Sequence, residues 1–220
     1  MCFSPQADVV GGLVVGAIGI DVLRHVGNRR DHLGMALLPV LLAAHQLDEA
    51  FVWWGLQGHV APQVGRIAMW AYLAFAFVVL PIYLPLAVLL LEPPGRRRAT
   101  ILPFVALGVI VAGILFAALL RGPVTAHLAQ NHLAYGIGLH ARVPIVGAYI
   151  VATCGSLIFS RYHHIVIFGV VNLVAIALLV RLAIDGFASL WCAWAALTSA
   201  AIAVQLRFAG ADHTVAPALR

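Results

Sequence analysis

Residues Ile101–Leu120 read ILPFVALGVIVAGILFAALL, a run without one ionisable side chain. An α-helix rises 1.5 Å per residue and crosses the hydrocarbon core of a bilayer in about 20 residues. The stretch has that length and that character. The whole chain follows the same pattern: it is 63% apolar and 10% charged, with a mean hydropathy of +1.02. Soluble domains are about 45–50% apolar and about 25% charged. No water-soluble core of 220 residues hides this much apolar surface, so the solvent for most of it is lipid.

Working outward from this run, six more apolar segments come close to spanning length. They lie at about Ala7–Leu23, Leu33–Trp54 and Ile67–Leu91 on one side, and Val143–Phe159, Ile165–Ile184 and Phe187–Leu206 on the other. The first carries Gly12 and Gly16, a G-x-x-x-G spacing that permits close helix approach. The third carries Pro81 and Pro85, which predict a kink whose freed carbonyls a neighbouring helix must satisfy. The expectation is an all-α polytopic transmembrane bundle of about seven spans over residues 1–208. Residues 121–142 form an outer cap, drawn as a short interfacial helix followed by an extended stretch near Tyr135 and Ile137. Residues 209–220 form a flexible cytoplasmic tail.

All thirteen basic residues are arginines, and the formal charge is +5. Arginine marks the cytoplasmic side of membrane proteins. Counted in alternate loops, Arg24, Arg29, Arg30, Arg96, Arg97, Arg98, Arg161, Arg207 and Arg220 fall on one side. Arg66, Arg121, Arg142 and Arg181 fall on the other. The richer side is expected inside, with the N-terminus outside and the C-terminus inside. Arginines after the first apolar run, and none before it, are the reverse of a cleavable signal peptide. With no basic domain and no interleaving of basic and aromatic residues, the charge speaks for headgroups rather than nucleic acid. A retinal pigment needs a lysine for its Schiff base; the chain has none.

The second apolar run contains the most costly residues: His45, Gln46, Asp48 and Glu49. A carboxylate at the centre of a membrane helix costs roughly 2.5–3.5 kcal/mol unless it is protonated, paired or wet. His45 and Glu49 are one turn apart on one face, Asp48 flanks them, and Gln46, Glu49, Trp53 and Gln57 continue the stripe. Such a cluster is either a functional site or a polar network that locks the bundle. Asp48 and Glu49 are its candidate acid–base groups. Arg181 and Asn172 are candidate partners, with Asp185 a local competitor for Arg181.

Trp53, Trp54, Trp70, Trp191 and Trp194 all map to the outer half, as an interfacial belt or as walls of an outward pocket. A pocket walled by Trp53, Trp54 and Trp191 and floored by His45, Gln46, Asp48 and Glu49 suits a small amphipathic ligand. His127, His132 and His140 lie in the cap and, with His45, are candidate ligands for zinc or iron, although H-x4-H-x7-H matches no standard template. A haem held through His45 would lack a second intramembrane histidine. Cys2 and Cys192 both map to the outer side and form either a disulfide or two separate thiols. Cys154 is alone at mid-depth, a small packing residue. No G-x-S-x-G elbow, H-E-x-x-H or P-loop is present.

The opening Met1-Cys-Phe-Ser4, His45-Gln46-x-x-Glu49 with Trp53, Asn131-His132-Leu133-x-Tyr135, and Ser189-Leu-Trp-Cys192 followed by Ala195-Ala196 resemble an uncharacterised family of bacterial multi-pass membrane proteins. The resemblance runs from the first residue to the last apolar segment. It implies a seven-span fold in the bacterial inner (plasma) membrane and carries no activity with it. Three function classes therefore stay open. One is a binding protein for a small amphipathic ligand or cofactor, used in sensing, carrying or proton or electron relay. The second is a metal-dependent membrane enzyme with Glu49 or Asp48 as general base. The third is an accessory subunit that docks partner membrane subunits through its apolar fourth run.

Overall fold

The computed structural model describes residues 4–26, 30–129, 132–139 and 142–182, together with Trp194, Thr198 and Ala200. It is mostly helical: α1 (Pro5–Val26), α2 (Arg30–Leu56), α3 (Pro62–Ala74), a π-helical turn (Phe75–Val79), α4 (Leu80–Leu91), α5 (Arg96–Arg121), α6 (Arg142–Ile158) and α7 (His163–Leu182). Four helical stretches, Pro5–Val26, Asp31–Leu56, Pro62–Leu91 and Arg96–Arg121, are long and apolar enough to cross a membrane. Helices Arg142–Ile158 and His163–Leu178 are shorter and apolar. The first six expected runs thus coincide with helices to within a few residues. The seventh and the tail lie outside the described residues, as do Cys2, His140, Asp185, Trp191, Cys192 and the side chains of His132 and Arg181.

Local chemistry sets the helix ends. Ser4 caps α1: its Oγ accepts a hydrogen bond from the Ala7 N–H at 3.2 Å, and Pro5 occupies the first turn, where its missing N–H costs nothing. At the end of α2, Gly58 adopts φ 75°. The Gly58 and His59 N–H groups then return to the carbonyls of Gly55 and Trp54 at 3.3 and 2.8 Å, a Schellman ending that turns the chain into α3.

Helices α1 and α2 pack antiparallel along a seam of small residues. A Cβ at Gly12 would meet the Leu47 side chain at 2.8 Å and the Ala43 carbonyl at 3.1 Å; one at Gly19 would meet Val40 at 2.7 Å. Gly16 is less tight, with Ala43 at 3.4 Å. The G-x-x-x-G reading therefore holds at Gly12 and shifts towards Gly19 at the other end. Further in, Leu38, Leu42, Leu84, Val88, Leu157 and Phe168 join α2, α4, α6 and α7 in the main core. A cavity of about 20 Å³, room for about one water, opens among Leu42, Leu84, Tyr149, Cys154, Phe168 and Asn172. Asn172 does not reach the acidic stripe. Its Nδ2 donates to the Phe168 carbonyl at 2.7 Å, the return bond of a polar side chain in an apolar helix.

The prolines of the third run act differently from the expected kink. Pro81 has no N–H to return one turn back, and the helix answers by widening into the π-turn just before it. The Leu80 N–H reaches the Phe75 carbonyl, and the Ala76 carbonyl accepts a 2.8 Å hydrogen bond from the Tyr149 hydroxyl of α6. The neighbouring helix thus supplies the donor that membrane packing requires.

The cap is a β-hairpin, which corrects both the interfacial helix and a strictly all-α fold. Strands β1 (Thr125–Ala129) and β2 (His132–Gly136) pair antiparallel with Ala126 opposite Tyr135 and Leu128 opposite Leu133. The cross-strand pairing from Thr125–Gly136 to Ala129–His132 gives the backbone of both strands partners in each other. Leu133 and Ala134 are buried: the hairpin is plugged into the end of the bundle rather than laid on it.

Candidate functional site

The plug meets the acidic stripe. In α2, the side chains of His45, Gln46, Glu49 and Trp53 are buried, and Glu49 is 0% exposed. Asp48 is half-buried on the flank of that face. Gln57 is exposed beyond the helix end and leaves the stripe. Leu133 of the hairpin packs with Val52, Trp53 and Ala68, and Tyr135 packs into the same group and into its neighbour around Tyr72, Leu73 and Leu119.

Three rings form a ladder beneath the cap. His45 of α2 stacks on Tyr72 of α3 with centroids 4.1 Å apart and planes 16° from parallel. Tyr72 stacks in turn on Tyr135 at 4.8 Å and 18°. Phe75 meets His45 at 4.6 Å. The Tyr135 hydroxyl lies 3.5 Å from Glu49 Oε1, the outer limit of hydrogen bonding.

Two buried carboxyl groups escaped the sequence reading. Asp8 in α1 is fully buried on the face that carries Gly12. Gly11 touches the Gln46 side chain and Gly12 touches Leu47. By that antiparallel register Asp8, one turn earlier, falls at the depth of Glu49 and Ala50. Only the pairing of α1 with α2 brings a carboxyl from the first turn of α1 to this level. At the opposite end, Glu92 closes α4. Its Oε1 accepts 2.7 Å hydrogen bonds from the Ser160 hydroxyl and the Arg161 N–H in the turn between α6 and α7. A lone acid before Pro93-Pro94-Gly95 was the available signal; among so many arginines it passes for a surface residue.

The other expected site residues divide. Trp54 does not wall the site: it is half-buried and packs edge-on against the outward-facing Phe51, with ring centroids 5.2 Å apart. Three residues from Phe51 and one from Trp53, it lies on the flank of α2 beside the buried stripe. Trp70 is 38% exposed. His127 is exposed on β1, opposite Ala134 in the ladder, and is thereby separated from the buried His45. His132 pairs with Ala129. Among the described residues, no three His, Cys, Asp or Glu side chains come together to hold a metal ion. Trp191, His140 and the Cys2–Cys192 pair lie outside the described residues.

The architecture is that of a helical protein with four helices long and apolar enough to cross a membrane and a buried polar site under a β-hairpin plug. Two sets of motif residues, His45-Gln46-x-x-Glu49 with Trp53 and Leu133-x-Tyr135, meet there from opposite parts of the chain. The chain belongs to the family of unknown function DUF6629, which it matches over residues 1–216. It matches no curated protein and no solved structure.

Proposed function

We propose that this protein is an integral, multi-pass protein of a bacterial inner membrane that binds a small amphipathic ligand at the capped site. In this reading the bundle has seven spans, with the N-terminus outside and the C-terminus inside. The lipid bilayer covers the exposed apolar row of α5, which includes Leu102, Val109, Ile110, Ile114 and Phe116. The ligand's polar end meets Glu49 and its apolar body lies against Tyr72, Tyr135 and Trp53. One observation carries this: a fully buried Glu49 is in reach of a hydroxyl on a hairpin, an element able to lift without unfolding a helix. Carriage, sensing and proton relay through Glu49 all use that arrangement.

The alternative of a metal-dependent enzyme needs ligands that converge, and His45 and His127 are drawn apart by burial and exposure. The accessory-subunit alternative predicts that partners co-purify and that Glu49→Gln is silent. The deciding experiment is mass spectrometry of small molecules extracted from protein purified in lipid nanodiscs, wild type beside Glu49→Gln. A species present at near one per chain in the wild type, and depleted in a folded Glu49→Gln, supports the binding reading. Identical extracts from both refute it.

A further inference from the structure

The hydrogen-bond inventory beneath the cap is out of balance. Trp53 is 6% exposed, and its indole N–H is buried without an acceptor among the described residues. The indole nitrogen can only donate. An unmade hydrogen bond of this kind costs about 1–3 kcal/mol, and folded proteins keep few of them. Trp53 stands one turn beyond Glu49 on the same helix face, and Leu133 of the plug closes over it. When the hairpin lifts, the orphaned donor, the Tyr135 hydroxyl and the face of the ring ladder are uncovered together.

We propose that the capped site takes a flat, neutral aromatic compound bearing a carbonyl oxygen, and that the Trp53 N–H donates to that oxygen. This rests on the ligand-binding reading and names its ligand class. A cation would leave the indole N–H unpaired. An anion would supply an acceptor but would enter beside Glu49 with Asp8 at the same depth, where carboxyl groups oppose it. A carbonyl satisfies the donor without charge. Flatness follows from the ladder, because rings held 16° and 18° from parallel extend by adding another planar face. A lipid-soluble compound of this kind reaches the site from the bilayer.

The test uses two probes with the same two-ring body, 2-methyl-1,4-naphthoquinone and 2-methylnaphthalene. Binding is measured by partition onto protein-loaded nanodiscs, corrected for empty ones. The wild type should bind the quinone about tenfold more tightly, the worth of one satisfied buried donor. Trp53→Phe keeps an aromatic body without the N–H and should bring the probes within about twofold, while Trp54→Phe keeps the preference. If Trp53→Phe fails to fold, the ultraviolet resonance Raman marker of indole hydrogen bonding in the wild type takes its place; the quinone should shift it and the hydrocarbon should not. Equal saturable binding of both probes overturns the carbonyl inference and leaves the ligand site standing. A preference that survives in Trp53→Phe, or an unshifted indole marker, also overturns it. Absence of saturable binding by either probe overturns it too, and the extraction experiment then decides the site separately.

Discussion

Glu92 and Ser160, 68 positions apart in the chain, share a 2.7 Å hydrogen bond in which the hydroxyl donates to the buried carboxylate. The same oxygen takes the Arg161 N–H at 2.7 Å, so a single side chain fastens the end of α4 to the turn between α6 and α7. Glu92→Ala leaves two donors without their acceptor and should destabilise the protein by about 3 kcal/mol; Glu92→Gln retains an acceptor oxygen and should cost about 1 kcal/mol. Thermal unfolding in mild detergent ranks the two. Equal melting temperatures for wild type and Glu92→Ala would show that the clasp carries no stability.

Tyr149 and Pro81 act on one defect. Removing the hydroxyl in Tyr149→Phe leaves the Ala76 carbonyl without its donor and should cost about 1–2 kcal/mol. Pro81→Ala restores the missing N–H and lets the helix close normally, so Tyr149→Phe should cost less in that background. A double-mutant cycle reads this as a coupling of about 0.5–1.5 kcal/mol. Strict additivity would separate the π-turn from the tyrosine.

The α1–α2 seam discriminates between its glycines. Gly12→Val drives a side chain into Leu47 and the Ala43 carbonyl and should cost about 1–3 kcal/mol. Gly16→Ala adds a methyl at ordinary contact distance and should change stability by less than about 0.5 kcal/mol. Melting curves of the two variants test the seam, and the reverse ranking would place the close approach elsewhere.

The plug should be the loosest part of the site. Leu133→Ala removes the side chain that seats the hairpin, a change worth about 2–5 kcal/mol in a packed core. Amide hydrogen exchange along Thr125–Ala129 should then accelerate by more than about tenfold, with exchange in α5 unchanged. Uniform acceleration throughout the protein would mean that the hairpin opens only with global unfolding.

How much of this was legible in the residues varies with the physics. The six apolar runs that become α1, α2, α3 with α4, α5, α6 and α7 could be read from the chain because hydropathy survives any tertiary arrangement; the π-turn that divides the third run could not. The cost of His45, Gln46 and Glu49 was legible for the same reason: polar groups in an apolar run must find an environment. Trp53 and Trp54 were not separable, since adjacent tryptophans look alike until the helix face is known; one is buried beneath Leu133 and the other rests on Phe51.

The sequence by itself determined the apolar character of the chain, its helical segments and the polar stripe of α2, because hydropathy and helical period are properties of consecutive residues. Only the tertiary structure decided what the stripe faces. The cap became a hairpin because its backbone pairs with itself. Asp8 reached the depth of Glu49 because α1 runs antiparallel along a glycine seam. Tyr135 came to Glu49 because Leu133 found an apolar seat on Val52, Trp53 and Ala68. Each depends on contacts between segments far apart in the chain, where packing and backbone satisfaction, rather than local preference, set the outcome.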